Sequence, residues 1–194
     1  MQEIILIAAM AENRVIGYKN TIPFSAKGNL ARFKEITMGW PCVMGRKTWE
    51  SLPQKPLKGR LNVVISGTNN DLQGLPDNDL PVCPENITAD YADITQLKRR
   101  TERYDRNSMV KKCASVQEAV NFCSGYEKIF ICGGESIYKQ FMPLAGRIDL
   151  TLVPGKYEGD AFFPEIGDNW EKTDVISFEE FSVAAYIKTN QEKL

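Results

Sequence analysis

The sequence contains no histidine. That excludes every Ser-His-Asp or Cys-His arrangement and every zinc site that needs imidazole, and no metal ligand set is expected. Cysteine is sparse: Cys42, Cys83, Cys113, Cys123 and Cys132 are odd in number and never spaced as C-x-x-C. Four of them lie in or beside apolar runs, where a thiol behaves as a small buried hydrophobe, so a reducing, cytoplasmic setting is expected. An excess of either charge is lacking too. The net charge of −1 exerts no general pull on nucleic acid or on an anionic membrane. Neither is an expected partner, and any anion site has to be local. No apolar run is long enough to span a bilayer. The first such run, Ile4–Ala11, is short, follows no basic residue and is flanked by Glu3 and Glu12. It reads as a buried strand rather than a signal peptide. A monomer is the expected state.

What is present is an ordinary globular composition, 43% hydrophobic and 25% charged over 194 residues, enough for one domain with a substantial core. The continuous apolar character of Ile4–Ala11 suits a strand covered on both faces. Asn13–Ile22 reads as a loop with short extended character and turn signals at Gly17 and Lys19-Asn20. Lys27–Thr37 reads as a helix with Leu30, Phe33 and Ile36 or Thr37 on one side. Strands are expected at Pro41–Met44, Leu61–Ser66, Lys128–Cys132 and Arg147–Val153, and helices at Arg46–Leu52, Val116–Cys123 and Ser136–Met142. Lys172–Phe178 and Ser182–Thr189 alternate like a closing antiparallel hairpin. Periodicity is lost from Gly67 to about Lys112, where a short strand near Leu80–Cys83 and one polar helix fit. The charged run Lys98–Arg106 reads either as an exposed helix face or as a partner contact. Strands alternating with helices predict a single α/β domain over residues 1–194. Its central sheet is mostly parallel and twisted, with helices on both faces and the antiparallel hairpin at the C-terminus. Ligands in such sheets bind beyond the carboxyl ends of the strands.

Three strand ends could serve a nucleotide. In Met44-Gly45-Arg46-Lys47-Thr48-Trp49 a strand turns into a helix whose unpaired N–H groups suit phosphate. Arg46 and Lys47 exceed what a pyrophosphate needs and suggest an extra phosphate, hence NADPH over NADH; the alternative is that Gly45 merely ends a strand beside solvated cations. Ile129 through Gly134 is a second such junction, with two glycines that permit close backbone approach. A lone Gly-Gly also occurs in plain turns, and Glu135 would repel a phosphate while favouring the helix start. Val63-Val64-Ile65-Ser66-Gly67 ends in a hydroxyl and a flexible turn.

Read in order, these pieces resemble dihydrofolate reductases. The matching stretches begin with Ile7-Ala8-Ala9, Val15-Ile16-Gly17, Ile22-Pro23-Phe24, and Leu30 with Phe33-Lys34 and Thr37. They continue through Met44–Leu52, Pro56-Leu57, Gly59-Arg60, Asn62–Ser66, Gly133-Gly134 to Tyr138, Thr151, Glu158-Gly159-Asp160 and Phe163-Pro164. The resemblance runs from residue 7 to about 164, with a stretch within 67–112 that is untypical of the family. It implies NADPH as cofactor and dihydrofolate as the small-molecule substrate. Arg46, Lys47, Thr48 and Ser66 would hold the NADPH phosphates, beside Gly45 and Ile65. Gly133-Gly134, joined by the family's unusual cis peptide, would lie under the cofactor together with Glu135, Ser136 and Ile137. Tyr138 would flank the nicotinamide, and Ala9 and Ile16 would touch its carboxamide end. Ile7, Ala8, Phe33, Leu52, Leu57, Cys132 and Thr151 would line the folate pocket, and Arg60 would pair with the α-carboxylate of the glutamate tail. Gly17–Phe24, with Ile22 and Phe24 at its end, would be the mobile loop that closes over the nicotinamide.

The same resemblance exposes a departure. The family keeps one carboxylate on the first helix to promote protonation of N5, six residues after the loop proline and four before the pocket phenylalanine. Pro23 and Phe33 fix that position as Asn29, which should face the pocket with Phe33. An amide carries no ionisable proton. Glu35 does not replace it, since it faces elsewhere on the helix, and Phe24 stands where the family has tryptophan. Three readings fit: a reductase that takes protons through water, an active enzyme whose native carboxylate was replaced, or a shift to another role. That other role is reduction of another pterin or a flavin-pathway pyrimidine, or non-catalytic NADPH and folate binding.

Overall fold

The computed structural model describes residues 2–67 and 110–189. The expected strand near Leu80–Cys83, the charged run Lys98–Arg106 and most of the untypical stretch within 67–112 lie outside them. The chain forms β1 (Glu3–Ala11), β2 (Val15–Gly17), α1 (Asn29–Thr37), β3 (Pro41–Gly45), α2 (Arg46–Ser51) and β4 (Leu61–Ile65). It continues with β5 (Val110–Cys113), α3 (Val116–Phe122), β6 (Lys128–Ile131), α4 (Glu135–Phe141), β7 (Arg147–Val153), β8 (Ala161–Phe162), β9 (Trp170–Ser177) and β10 (Ser182–Lys188).

Among the described residues, eight strands make one sheet in the order β5-β4-β3-β6-β1-β7-β10-β9. All pairs from β5 to β7 are parallel, while β10 runs antiparallel to both β7 and β9. The chain leaves β1 toward β3, β4 and β5, returns with β6 into the gap between β3 and β1, and places β7 on the far side of β1. Such a reversal leaves a crevice beyond the carboxyl ends of the central strands. Helix α2 packs on β3 and β4, α3 on β4 and β5, and α4 on β3 and β6. The core draws Leu6, Ile129, Ile131, Ile148 and Leu150 from the central strands and Phe141 from α4, all fully buried. Uninterrupted apolar runs are what a doubly covered parallel sheet requires.

Three expectations need correction. Helix α1 starts at Asn29 rather than Lys27, because Gly28 is in the left-handed conformation (φ 89°) and terminates a turn in which Asn29 N–H donates to Ala26 O at 3.0 Å. Leu30 does not pack with Phe33 and Ile36; it is 72% exposed. Strand β5 was not expected inside the aperiodic stretch, since Lys111 and Lys112 interrupt its apolar signal; only its end residues Val110 and Cys113 are buried.

A second, two-stranded sheet pairs β2 with β8. Between Tyr18 and Thr21, Lys19 and Asn20 take positive φ, forming the turn their sequence signals. The segment is pinned by Tyr18 Oη donating to Glu158 (2.9 Å), Lys19 N–H to Asp160 (3.1 Å), and Asp160 N–H to Gly17 O (3.1 Å). Gly159 sits so close that a Cβ there would lie 2.4 Å from Val15 Cγ1 and 2.9 Å from the Gly17 carbonyl oxygen. Glu135, opening α4, accepts the N–H of Phe162 at 3.0 Å and pairs with Lys139. The bond from Lys139, then that from Phe162, holds its carboxyl below the usual range.

Two outcomes are expected. Gly159→Ala should destabilise the fold by about 1–3 kcal/mol, as overpacking usually does, read as a lower urea midpoint at unchanged slope. Glu135 has a depressed folded pKa, so its contribution is complete above its ordinary value of 4.5 and fades as pH falls through the depressed one. Glu135→Gln should therefore flatten the acid limb of a melting-temperature profile below that pH.

Candidate active site

The strand ends singled out in the sequence converge on one edge of the sheet. Ile7, Ala8 and Ala9 of β1 lie opposite Asp149, Leu150 and Thr151 of β7. Gly45, at the end of β3, donates its N–H to Gly133 O at 2.8 Å, so the corner leading into α2 abuts the corner leading into α4. Beside them β4 ends at Ile65 and is followed by Ser66, both buried.

The two corners make one backbone-lined recess. A Cβ on Gly45 would meet Ile137 Cγ1 at 2.9 Å, and one on Gly134 would meet Thr48 Oγ1 at 3.2 Å. Gly133, at φ 125° and joined to Gly134 by a cis peptide, would present its Cβ to Thr48 at 3.3 Å. Side chains are thus excluded from a junction in which Gly45 and Gly134 are half-buried and Gly133 is buried. Neither Gly45 nor Gly134 supplies a side-chain cap, so the first N–H groups of α2 and α4 are not met by one. Lys47 and Ser136 are exposed, and Arg46 pairs with Glu50 at 2.7 Å on the surface. Tyr138 stays protonated because burial, and secondarily Cys132, pushes its pKa well up; its hydroxyl donates to Ile7 O at 2.7 Å, and its ring lies 4.9 Å from that of Phe163.

The adjoining part of the site is carried by α1, β7 and the segment before β4. Thr151 Oγ1 donates to Asn29 Oδ1 at 2.7 Å, tying the start of α1 to the sheet. One turn on, Arg32 grips both oxygens of Asp149 at 2.7 and 2.9 Å. Arg60 is only 5% exposed. It donates from Nε to Lys58 O (3.1 Å) and from Nη1 to Thr37 Oγ1 (3.2 Å), and it lies over the Phe33 ring at 5.7 Å. Its remaining N–H groups have no partner, and no carboxylate pairs with it, among the described residues. The Asn62 amide fixes this arrangement through Leu57 N–H, Leu57 O and Arg60 O. Leu52, Leu57 and Cys132 form a half-buried apolar wall on the cluster of Cys42, Met44, Trp49, Val64 and Val110; burial raises the Cys132 thiol well above its ordinary value.

Ile22, Ile16 and Phe24, also expected at the site, lie in different surroundings. Ile22 is exposed, Ile16 packs against the main core, and Phe24 lies edge-on to Tyr157 beside Val153, Phe181 and Val183. Conversely, Arg32 and Asp149 were not singled out in the sequence, and Thr37 and Asn62 were named within stretches that match the family, with no site role attached. The signal for two of them is a polar residue inside an otherwise apolar strand, Asn62 in Leu61–Ile65 and Asp149 in Arg147–Val153. Arg32 and Thr37 carry no such mark. Chemically, the whole offers an anion-suited corner beside an apolar slot that carries a buried guanidinium and a side-chain amide.

Comparisons with known proteins bear on the family and the fold. The sequence profile described as dihydrofolate reductase matches residues 3–89 and 94–191. The dihydrofolate reductase of Neisseria gonorrhoeae is 39% identical over 175 residues, covering 90% of this chain and 87% of that protein. The Bacillus subtilis enzyme of the same name is 31% identical over 166 residues, covering 85% and 78%. Among solved structures, dihydrofolate reductase from Enterococcus faecalis, complexed with NADP(H) and RAB-propyl, superposes with a TM-score of 0.70 at 24% identity and covers 97% of each chain. With the profile spanning nearly all of the sequence and relatives this similar along most of their length, the chain belongs to the dihydrofolate reductase family.

Proposed function

We propose that the chain reduces 7,8-dihydrofolate to 5,6,7,8-tetrahydrofolate with NADPH, the hydride going to C6. The observation that carries this reading is Arg60. A guanidinium buried without a counter-charge is costly unless an anion completes it. Its free donors beside the Phe33 face and the Leu52–Leu57–Cys132 wall suit the carboxylate of a flat, tailed substrate, which a guanidinium can bind through two parallel bonds.

The recess supports the cofactor reading. Backbone closed to side chains at Gly45, Gly133 and Gly134, uncapped first-turn N–H groups and two cations are what a phosphorylated dinucleotide calls for. Arg46 and Lys47 would hold the 2′-phosphate, which requires Arg46 to exchange Glu50 for it; Thr48 and Ser66 would donate to the other phosphates. Ile65 and Ser136 would flank the same recess, with Ile137 and Glu135 at its base. Bound there, NADPH supplies the hydride. Tyr138, kept protonated and anchored to Ile7 O, would hold the floor beside the nicotinamide, with Ala9 and Ile16 at its carboxamide end. Ile7, Ala8 and Thr151 would line the pterin side, with Ile22 and Phe24 on the closing loop.

Asn29 then takes the place of the pocket acid. It orients the ring but provides no proton, so the proton for N5 would arrive through water. General acid–base assistance is worth roughly 10²–10⁴ in rate, and the chain should turn over slowly by that measure.

Two measurements test the reading. Following NADPH absorbance with dihydrofolate, Asn29→Asp should raise the rate by about 10²–10⁴ and introduce a carboxylate pH break that the Asn29 form lacks. Equal inertness of both forms would sink the assignment. Arg60→Ala should weaken dihydrofolate binding by about 1.5–3 kcal/mol, the usual worth of a charged hydrogen bond, while leaving NADPH affinity unchanged in calorimetry. Unaltered dihydrofolate affinity would point to a tail-less substrate.

A further inference from the structure

Two of the cysteines lie side by side, and the proposed activity uses neither thiol. Cys42 in β3 stands opposite Phe130 in β6, and Val43 opposite Ile131. Cys132 follows β6 directly and carries the pairing one step on, its N–H donating to Val43 O at 2.8 Å. Side chains alternate along a strand, so Cys132, two residues beyond Phe130, emerges on the same face as Cys42. Both pack with Met44, Trp49 and Val64, and their thiols hydrogen-bond one another. Cys42 is fully buried, whereas Cys132 keeps a partly exposed surface in the wall with Leu52 and Leu57.

The surroundings make the two thiols unequal. Burial alone would raise the Cys42 thiol, but the bond with Cys132, the Arg60 charge and the Thr37 hydroxyl outweigh it and bring the thiol below its ordinary value. Burial, then the bond to Cys42, pushes Cys132 well up. The pair therefore gives up its first proton at Cys42, and the thiolate is the form that binds soft atoms. Cys113 and Cys123 are fully buried in the main core, and Cys113 is pushed up to about 11 by burial and then by Glu118. Cys83 lies outside the described residues.

Spacing decides what the pair can hold. Diagonal neighbours on adjacent strands sit about 7–8 Å apart at Cα, beyond the roughly 4.4–6.8 Å of a disulfide. Joining the sulfurs directly would distort the sheet, whereas a single bridging atom spans the gap. Among the described residues no third His, Cys, Asp or Glu completes a metal site with them, so an ion that wants four ligands is not served. What fits is a soft centre that needs only two sulfurs. We infer that Cys42 and Cys132 form a two-thiol chelating site for trivalent aryl arsenicals. With phenylarsine oxide, two As–S bonds form and the oxide oxygen leaves as water with both thiol protons. Arsenic stays trivalent and neither sulfur is oxidised, so no oxidant or reductant is needed. The apolar surroundings favour burial of the phenyl ring. The site is independent of the proposed reductase activity.

The test treats the full folded chain with one equivalent of phenylarsine oxide. Intact-mass spectrometry should show one arsenical per chain with loss of water, and peptide mapping should join the segments that carry Cys42 and Cys132. Attachment at two points gains about 10²–10⁴ over a single bond. 2-Mercaptoethanol should therefore leave the adduct in place, while 2,3-dimercaptopropanol strips it. Cys132→Val and Cys42→Val should each speed release into 2-mercaptoethanol by about 10²–10⁴, with melting curves checking that each variant is folded; Cys83→Ser should change nothing. The inference is overturned by absence of the adduct, by arsenic bridging any other pair, or by release into 2-mercaptoethanol as fast as from Cys132→Val. A Cys42–Cys132 disulfide formed with glutathione disulfide would overturn it too, since the spacing argument would then be wrong. Peptide mapping uses the unaltered chain, so the test stands even if Cys42→Val does not fold.

Discussion

The contact of two backbones, Gly45 N–H on Gly133 O, sets where the rest of the site can stand. It exists because β6 returns into the gap between β3 and β1, bringing two strand-to-helix corners side by side. Side chains larger than hydrogen are barred from the junction by Ile137 and Thr48. The helix starts are therefore presented bare, and cations gather beside them from Arg46 and Lys47. Tyr138, one turn into α4, reaches across to Ile7 O and ties the same corner to the central strand. Parallel topology, glycine and one buried phenol thus act as a single constraint.

Charge in the neighbouring slot follows a different logic. Of its two buried or half-buried guanidinium groups, Arg32 is neutralised by Asp149 and Arg60 is not. The neutralised pair fastens α1 to β7, and the uncompensated group is held by uncharged partners, the Lys58 carbonyl and the Thr37 hydroxyl. Those contacts fix its direction without cancelling its charge. An apolar wall on one side and an aromatic face on the other keep the field strong, since Arg60 is only 5% exposed to solvent screening.

Most of the architecture was legible in the sequence because a doubly covered parallel sheet writes itself as apolar runs separated by helical periods. The runs at Ile4–Ala11, Leu61–Ser66 and Arg147–Val153 correspond to strands within a residue or so at each end, and the closing hairpin shows its alternation. β5 was missed because two adjacent lysines break its pattern, and the start of α1 was misplaced because nothing in Lys27-Gly28 announces a left-handed glycine. At the candidate site, the Gly45–Thr48 and Gly133-Gly134 corners were readable in advance as strand-to-helix junctions. Arg32 and Asp149 were not, because an ion pair between a helix and a strand separated by over a hundred residues leaves no local spacing to detect. Leu30 followed the helical period yet stays uncovered, so periodicity identified a face without saying what meets it.

The sheet's two outer strands share a property with consequences away from the site. β9 is exposed along nearly its whole length, but its register slips against β10 at Ala185/Tyr186, and Lys172 and Asp174 stand on either side of that irregularity. At the opposite boundary β5 presents Lys111 and Lys112. Bent or charged margins make poor templates for another chain's backbone. Among the described residues, both rims of the sheet therefore disfavour edge-to-edge pairing with another copy.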